Sequence, residues 1–483
     1  MPQLIRISTG VRGLDEVTHG GFIINRSYLI RGGPGSGKSS FGLHFLSSGL
    51  HQGKKALFIS LEESRSRIII NASQRGIDIE GLEILDISPN SEFFTSSGSY
   101  DVFRSEDVES APLNDLIVNK IREIKPDLVF LDPMTQLSYL TSDRFQFRKQ
   151  ALSFIRFLAE MECTTLFTSE KNQSLPDDDL QFMADGVIDI DTTPGATVRT
   201  MSVNKFRGSG FMPGSHSLKL SSSGIEIFPR LVPRQQEDKF EYEKIGSGIP
   251  DLDEMLSGGL ERGTVTIITG PSGVGKTTLG LQFMKEAAGR GERSVVYSFE
   301  EEPALMISRC DSIGIPARNM IERGTLEIKK IEPLEYTQDE FTHIVRSDVE
   351  DNNTRIVMLD STAGYALSLR GEDIQSRLHA LTKYLQNAGV AVLIINEINA
   401  ITGDFKVTEA GISYLADNVV FLRFLEVQGE MRKAIGVLKK RLSDFEKTLR
   451  EFEISRYGIR VGKPLRNLRG ILSGTPSFVD QAP

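Results

Sequence analysis

The chain reads Gly32-Gly33-Pro34-Gly35-Ser36-Gly37-Lys38-Ser39 in its first half and Gly270-Pro271-Ser272-Gly273-Val274-Gly275-Lys276-Thr277 in its second half. Both stretches match the phosphate-binding loop GxxxxGK[ST], and each follows an apolar strand pattern and opens a helical one. Glycines let backbone N–H groups curl around phosphate oxygens, and the N-terminus of the following helix adds its dipole. The sequence therefore predicts two ATP-binding sites, which extend to Ser40 and Thr278.

The two loops belong to an internal duplication. Residue numbers differ by 238 between Gly32 and Gly270 and between Glu62 and Glu300, but by 228 between Asp132 and Asp360. Such a period indicates tandem copies of one fold, and the first copy holds additional residues that we place near 96–105, in a polar, loop-like stretch. We expect a first domain at 1–230, a linker at 231–240, a second domain at 241–465 and a short tail at 466–483.

Short apolar runs alternate with amphipathic stretches in each copy. The runs are RSYLIRG, KALFISL, DLVFLD and TTLFTSE in the first copy, and TVTIITG, SVVYSFE, RIVMLD and AVLIINE in the second. Nearly continuous apolar strands between helical patterns indicate a parallel sheet covered on both faces. The predicted fold class is α/β, with a mainly parallel twisted sheet flanked by helices in each domain.

Composition narrows the classes of function. The 483 residues carry a net charge of −9. This disfavours a dedicated DNA-binding protein, because binding to DNA phosphates is strengthened by an excess of basic residues. Cys163 and Cys310 lie far apart without metal-ligand spacing, and their scarcity fits a reducing cytoplasm. We find no apolar run of bilayer-spanning length, so we expect no membrane association.

Acidic residues follow the strand patterns at repeated positions. Asp132 and Asp360 each end an apolar run, where an acid can hold Mg²⁺ together with the hydroxyl of Ser39 or Thr277. The alternative is an aspartate that caps the next helix.

A pair of glutamates follows an earlier strand in each copy: Glu62 and Glu63, then Glu300 and Glu301. A carboxylate there can orient and deprotonate the attacking water, although acids also favour a helix N-terminus for its dipole. Glu302 extends the second run and leaves its register open.

A basic pair occurs late in each copy: Lys205 and Arg207, then Lys439 and Arg441. Alternate residues on one strand point to the same face, so each pair could reach a phosphate of a neighbouring subunit. The alternative is a pair of solvated charges on an edge strand.

The motifs together resemble the KaiC family, the two-domain RecA-like ATPases of the cyanobacterial circadian clock and their bacterial and archaeal homologues. The stretches that carry the resemblance are STGVRGLDE, ISLEESRSRII, VNKFRGSG, GSGIPDLDE, YSFEEE, EVQGEMRKAIGVLKKR, REFEIS and ILSGTP. The resemblance implies a double-ring homohexamer with ATP at subunit interfaces, a slow ATPase, and an autokinase in the C-terminal ring. It also implies catalytic roles for both glutamate pairs, a trans-acting role for both basic pairs, and a KaiB-like protein or another signalling partner.

The segment that resembles the family's phosphoacceptor loop departs from the family pattern of adjacent serine and threonine. Ser413 matches the serine, Tyr414 stands at the threonine position, and Thr408 matches a third hydroxyl. Because a tyrosine oxygen lies further from the backbone, it cannot take the same in-line geometry without movement. We expect Ser413 to be the main acceptor, and Tyr414 to be either a second acceptor or an aromatic at a subunit interface.

Three functional hypotheses follow. The first is a KaiC-like hexameric ATPase with Ser/Thr autokinase activity that uses ATP and Mg²⁺ and acts as a timing or signalling switch. The second is a RecA-type DNA-stimulated ATPase, which the acidic balance disfavours. The third is an ATP-gated scaffold without kinase activity, which the intact glutamate pairs disfavour.

Overall fold

A computed structural model describes residues 4–89, 111–140, 144–171, 177–192, 198–233, 243–332, 335–368, 374–398, 412–471 and 477–478. The chain divides into two compact units, Met1–Arg230 and Leu231–Pro483. No helix among these described residues is long and apolar enough to cross a membrane. Thr408 lies outside the described ranges.

The first unit is built around a 9-stranded sheet with the strand order β11-β10-β9-β8-β3-β7-β6-β4-β5. The strands are β1 (Arg6–Ile7), β2 (Phe22–Ile23), β3 (Ser27–Gly32), β4 (Ala56–Ser60), β5 (Glu83–Asp86), β6 (Leu128–Asp132), β7 (Thr164–Glu170), β8 (Gly186–Thr192), β9 (Arg199–Phe206), β10 (Ser215–Ser221) and β11 (Gly224–Phe228). The α-helices are Leu14–Val17, Lys38–His51, Arg65–Gln74, Ala111–Ile124, Arg144–Glu160 and Asp178–Met183, with a 3₁₀ helix at Met134–Leu140.

The second unit repeats this plan in a 9-stranded sheet with the order β16-β15-β17-β18-β14-β19-β20-β21-β22. Its strands are β12 (Lys244–Ile245), β13 (Leu260–Glu261), β14 (Val265–Gly270), β15 (Arg293–Ser298), β16 (Leu326–Lys330), β17 (Thr354–Asp360), β18 (Ala391–Glu397), β19 (Asn418–Val427), β20 (Glu430–Lys440), β21 (Arg450–Ser455), β22 (Gly458–Pro464), β23 (Leu468–Arg469) and β24 (Ser477–Phe478). The α-helices are Pro250–Met255, Lys276–Gly289, Pro303–Ser312, Ala317–Glu322, Gln338–Glu350, Thr362–Ser368 and Ile374–Asn387, with a 3₁₀ helix at Ile412–Tyr414.

Each sheet is parallel through its centre and antiparallel along one side. In the first unit β5, β4, β6, β7, β3 and β8 run parallel, and β9, β10 and β11 continue antiparallel. The second unit has the same division, with β19 as the last parallel strand. The predicted α/β fold with a mainly parallel sheet in each copy is confirmed.

Apolar layers cover both faces of each sheet, which explains the continuous apolar runs. On β4, Phe58 packs into one buried cluster and Leu57 into the other, because successive side chains point to opposite faces. On β17, Met358 and Leu359 divide in the same way. A strand buried on both faces needs apolar residues at every position, as the sequence has here.

The strand register brings the predicted functional residues to one edge of each sheet. Ser60 pairs with Asp132, and Ser298 pairs with Asp360, at the carboxyl ends of neighbouring parallel strands. Because these ends meet beside the loop after the central strand, the edge is where open parallel sheets bind ligands.

Candidate nucleotide-binding sites

Each phosphate-binding loop joins the central strand of its sheet to a long helix. The residues before the helices, Gly37 and Gly275, have φ values of 106° and 113°, which favour glycine. A Cβ at Gly275 would also stand 2.3 Å from Cδ1 of Ile454. The backbone turn therefore requires glycine, and it exposes the helix N-terminus to a bound anion.

The two loop lysines curl back over their own loops. Nζ of Lys38 donates to the carbonyl oxygens of Gly32 and Gly33, each at 2.9 Å, and Nζ of Lys276 donates to the Pro271 oxygen at 2.9 Å. Burial lowers the pKa of both lysines, although nearby carboxylates oppose that change. A desolvated cation bonded to backbone carbonyls gains from an anionic partner, so the loops fit a phosphate chain.

The hydroxyl and the aspartate predicted to hold Mg²⁺ lie together in the second unit. Oγ1 of Thr277 donates to Oδ2 of Asp360 at 3.0 Å, and burial raises the pKa of Asp360 to about 6. In the first unit, burial raises the pKa of Asp132, while hydrogen bonds from Ser39 and Thr168 oppose the rise.

Hydroxyl and carboxylate oxygens are the ligands that Mg²⁺ prefers, with phosphate and water completing its shell. The pair at each site fits that ion. Within the described part of the chain, no group of three or more His, Cys, Asp or Glu residues is placed to hold a metal without such help.

The glutamate pairs sit in the same turn in both units. Oγ of Ser60 donates to the Glu63 carbonyl oxygen at 2.6 Å, and Oγ of Ser298 donates to the Glu301 carbonyl oxygen at 2.6 Å. Glu302 is the N-cap residue of the following helix. The turn therefore aligns Glu301 with Glu63 and leaves Glu302 outside the repeated pair.

The carboxylates of these pairs have different partners in the two units. Burial and the like charges of Glu170, Asp132 and Glu63 raise the pKa of Glu62, while Lys38 opposes the rise. In the second unit Oγ of Ser361 donates to Oε1 of Glu300. Pro133 occupies the position of Ser361 in the first unit and offers no hydroxyl.

A cavity lies beside each loop, with a volume of about 260 Å³ in the first unit and about 460 Å³ in the second. The larger cavity is lined by Lys276, Thr277, Glu300, Glu301 and Asp360, among others. The smaller one is lined by Lys38, Ser39 and Glu63, among others. Each cavity is thus lined by a loop lysine, the hydroxyl residue after it and at least one acid.

A family model described as ATPase: KaiC matches residues 7–232 and 245–466. The chain belongs to the KaiC ATPase family. The resemblance inferred from the motifs is confirmed, and both copies of the repeat are members of one ATPase domain family.

Curated relatives match over nearly the whole chain. The circadian clock oscillator protein KaiC 1 of Synechocystis sp. is 28% identical over 487 residues, which cover 98% of this chain and 92% of that protein. The KaiC protein of Parasynechococcus marenigrum is 29% identical, with coverages of 99% and 94%. The KaiC protein of Synechococcus elongatus is 28% identical, with coverages of 99% and 92%.

The first basic pair of this KaiC-family chain lies at the end of β9. Nζ of Lys205 donates to the carbonyl oxygens of Gln181 and Phe182 at 2.9 and 3.0 Å, and Arg207 forms an ion pair with Asp185 at 3.6 Å. Neither basic residue is among the described residues that line the cavity of its own unit.

The second basic pair lies at the end of β20 in the same relation. Nζ of Lys439 donates to the Ala416 carbonyl oxygen at 2.5 Å, and Nη1 of Arg441 lies 3.2 Å from Oδ1 of Asp417. The Arg441 side chain is 54% exposed, and the described lining of the adjacent phosphate cavity does not include it. Neither pair therefore lines the described cavity of its own unit.

The predicted phosphoacceptor residues lie beside the second basic pair. Ser413 and Tyr414 are in the 3₁₀ helix that precedes Asp417, and the half-exposed Tyr414 ring stacks on the His379 ring at a centroid distance of 6.2 Å. Counting back from the aspartates that contact the two arginines, the first unit has Gln181 and Phe182 at these positions. The hydroxyls occur only in the second unit at this place.

Some site residues were missed in reading the sequence. Glu170 and Glu397 end β7 and β18, pair with Gly32 and Gly270 in the parallel register, and act electrostatically on the loop lysines. Their repeated position after an apolar run was a signal that could have found them. The side chains that contact Glu63 and Glu301 from the next helix carried no such signal.

Proposed function

We propose that both units bind and hydrolyse Mg·ATP, and that the second unit also transfers the γ-phosphoryl group to Ser413. The observation that supports this most is that each unit brings a loop lysine, a hydroxyl next to a buried aspartate, and a glutamate pair to one edge of its sheet, beside a cavity. A chance glycine-rich turn would not gather these groups twice.

In hydrolysis, the water oxygen forms a bond to the γ-phosphorus, the bond from that phosphorus to the bridging oxygen breaks, and a glutamate carboxylate accepts the water proton. Mg²⁺, when bound, would neutralise charge on the phosphate oxygens. Lys38 and Lys276 would hold the outer phosphates through charge-assisted hydrogen bonds. Glu62 and Glu63 are the candidate bases in the first unit, and burial and neighbouring acids raise the pKa of Glu62 above its ordinary value.

Autophosphorylation in the second unit requires a hydroxyl at a γ-phosphate. Ser413 supplies one where the first unit has Gln181, so the kinase reaction is assigned to the second unit. Lys439 and Arg441 hold the chain just after Ser413 and are not among the described residues that line their own cavity. A ring in which each subunit offers these groups to its neighbour fits this placement, and we propose a homohexamer.

The role of the assembly would be that of a timing or signalling switch read by a KaiB-like or other protein partner.

Cys163 and Cys310 are buried free thiols, and burial raises the pKa of each to about 11. Buried thiols with a raised pKa are poor nucleophiles, which fits a protein of the reducing cytoplasm.

Turnover of the glutamate variants tests the hydrolysis step. We expect Glu62→Gln/Glu63→Gln and Glu300→Gln/Glu301→Gln each to remove the contribution of one unit, by roughly 10²-fold for that unit. Unchanged phosphate release in both variants would refute the enzyme assignment.

Mapping of phosphosites tests the kinase step. Purified protein is incubated with Mg·ATP and analysed by mass spectrometry, with Lys276→Ala as the control. Phosphate on Ser413 in the wild type alone supports the proposal. An unmodified 408–417 segment during active ATP turnover would remove it.

A further inference from the structure

The helix after each glutamate pair carries a different set of side chains to the cavity. In the first unit Asn71 and Arg75 line it, one helical turn apart. In the second unit the positions offset by 238 are Arg309 and Ile313, which also line the cavity. The arginine that lines the cavity therefore lies one helical turn earlier in the second unit than in the first.

This exchange changes what the second glutamate of each pair contacts. Nδ2 of Asn71 donates to Oε2 of Glu63 at 3.1 Å, from an uncharged amide. Nη2 of Arg309 donates to Oε2 of Glu301 at 2.7 Å, and this bond is also an ion pair. An opposite charge beside a carboxylate favours its ionised form, which an amide does only through the hydrogen bond.

In the first unit, Arg75 contacts a serine instead of a glutamate of the pair. Nη1 of Arg75 donates to Oγ of Ser40, at the start of the helix that follows the phosphate-binding loop. Among the described residues, Glu62 and Glu63 form no ion pair with a cation of the helix that follows them. In the second unit, Nε of Arg309 has no hydrogen-bond partner in the described part of the chain, and the guanidinium is held by its bond from Nη2 to Glu301.

We propose that Arg309 is a positioning residue. Its bond to the Glu301 carboxylate slows the attack of water on ATP in the second unit. A carboxylate oxygen that already accepts from a guanidinium is a weaker acceptor for the proton that water must lose. The Ser361 hydroxyl restrains Glu300 in addition. ATP in the second site is thereby hydrolysed slowly, and the residue at this helix position sets the ratio of hydrolysis rates between the two units.

This proposal rests on the proposed hydrolysis in both units. Parent variants in which only one nucleotide site works distinguish a failure of this proposal from a failure of the proposed function. In the Lys38→Ala parent, which isolates the second site, Arg309→Asn should raise kcat by about threefold to tenfold with little change in KM. Arg309→Lys, which keeps a cation, should stay slow. In the Lys276→Ala parent, Asn71→Arg should lower kcat by a similar factor.

The control is Arg318→Asn, which removes an exposed arginine from the Ala317–Glu322 helix and should change neither rate. Binding of a fluorescent ATP analogue checks that each variant retains a folded site. An Arg309→Asn variant that binds the analogue but turns over at or below the parent rate would overturn the proposal, as would an Asn71→Arg variant at the parent rate. Parents without any turnover would instead count against the proposed function.

Discussion

A buried ion pair in the second unit gives a sharp prediction about stability. Nζ of Lys440 on β20 donates to Oε1 of Glu261 on β13, and the two side chains are 0% and 3% exposed. Burial lowers the pKa of Lys440, and Glu261 opposes that change. The corresponding positions of the first unit hold the buried residues Ile23 and Phe206.

Removing one partner leaves the other charge in the apolar interior. For Lys440→Phe, the Glu261 carboxylate keeps the Ser443 hydroxyl at 3.2 Å, but its Oε2 atom has no partner among the described residues. An uncompensated buried charge costs about 3–5 kcal/mol, so either single variant should lose that much unfolding free energy. The double variant Glu261→Ile/Lys440→Phe restores the apolar pair of the first unit and should lie within about 1 kcal/mol of the wild type or above it.

Denaturant unfolding of the full chain, followed by hydrogen exchange of peptides from β13 and β20, measures the loss in the second unit. Two losses of about 3 kcal/mol or more and a double variant within about 1 kcal/mol of the wild type give a coupling of at least about 5 kcal/mol in the double-mutant cycle. Single variants that cost less than about 1 kcal/mol, or a double variant as unstable as the sum of the singles, would contradict this prediction.

Two further predictions concern the nucleotide-free protein. Burial raises the pKa of Asp360 to about 6 from the ordinary 3.8. At 1.36 kcal/mol for each unit of this pKa difference, ionisation of Asp360 lowers the unfolding free energy by about 3 kcal/mol above pH 6. Asp360→Asn should therefore raise the unfolding free energy at pH 7, with a gain that fades as pH falls from 6 to 4; a gain independent of pH would contradict this. A Cβ at Gly42 would stand 2.1 Å from the Phe130 ring, and one at Gly280 2.4 Å from the Met358 sulfur. Gly42→Ala should cost about 1 kcal/mol more unfolding free energy than Gly280→Ala, and should therefore lower Tm further, because a methionine side chain adapts more readily than a rigid ring. Equal losses in thermal unfolding would contradict this.

The parts of the site that sequence could predict are those fixed by local chain order. A phosphate-binding loop needs a strand, a glycine turn and a helix in succession, so Lys38 and Lys276 were placed by their neighbours in sequence. Asp132 and Asp360 could be placed because parallel strands align their carboxyl ends.

The parts that sequence could not predict depend on contacts between distant residues. Lys440 stands between Lys439 and Arg441 in a basic run, yet it is buried against Glu261, which is 179 positions away. The bond from Arg309 to Glu301 depends on the phase of a helix relative to the cavity. In both cases the chemistry is set by which face of an element is covered, and that is decided by tertiary packing.

ATP turnover by four proteins tests the central claim that the chain has two working nucleotide sites. They are the wild type, Lys38→Ala, Lys276→Ala and the double variant, measured as phosphate release with Mg·ATP. We expect each single variant to keep part of the wild-type rate and the double variant to keep none. A double variant that still turns over ATP, or one single variant that abolishes all turnover while the other leaves it unchanged, would contradict it.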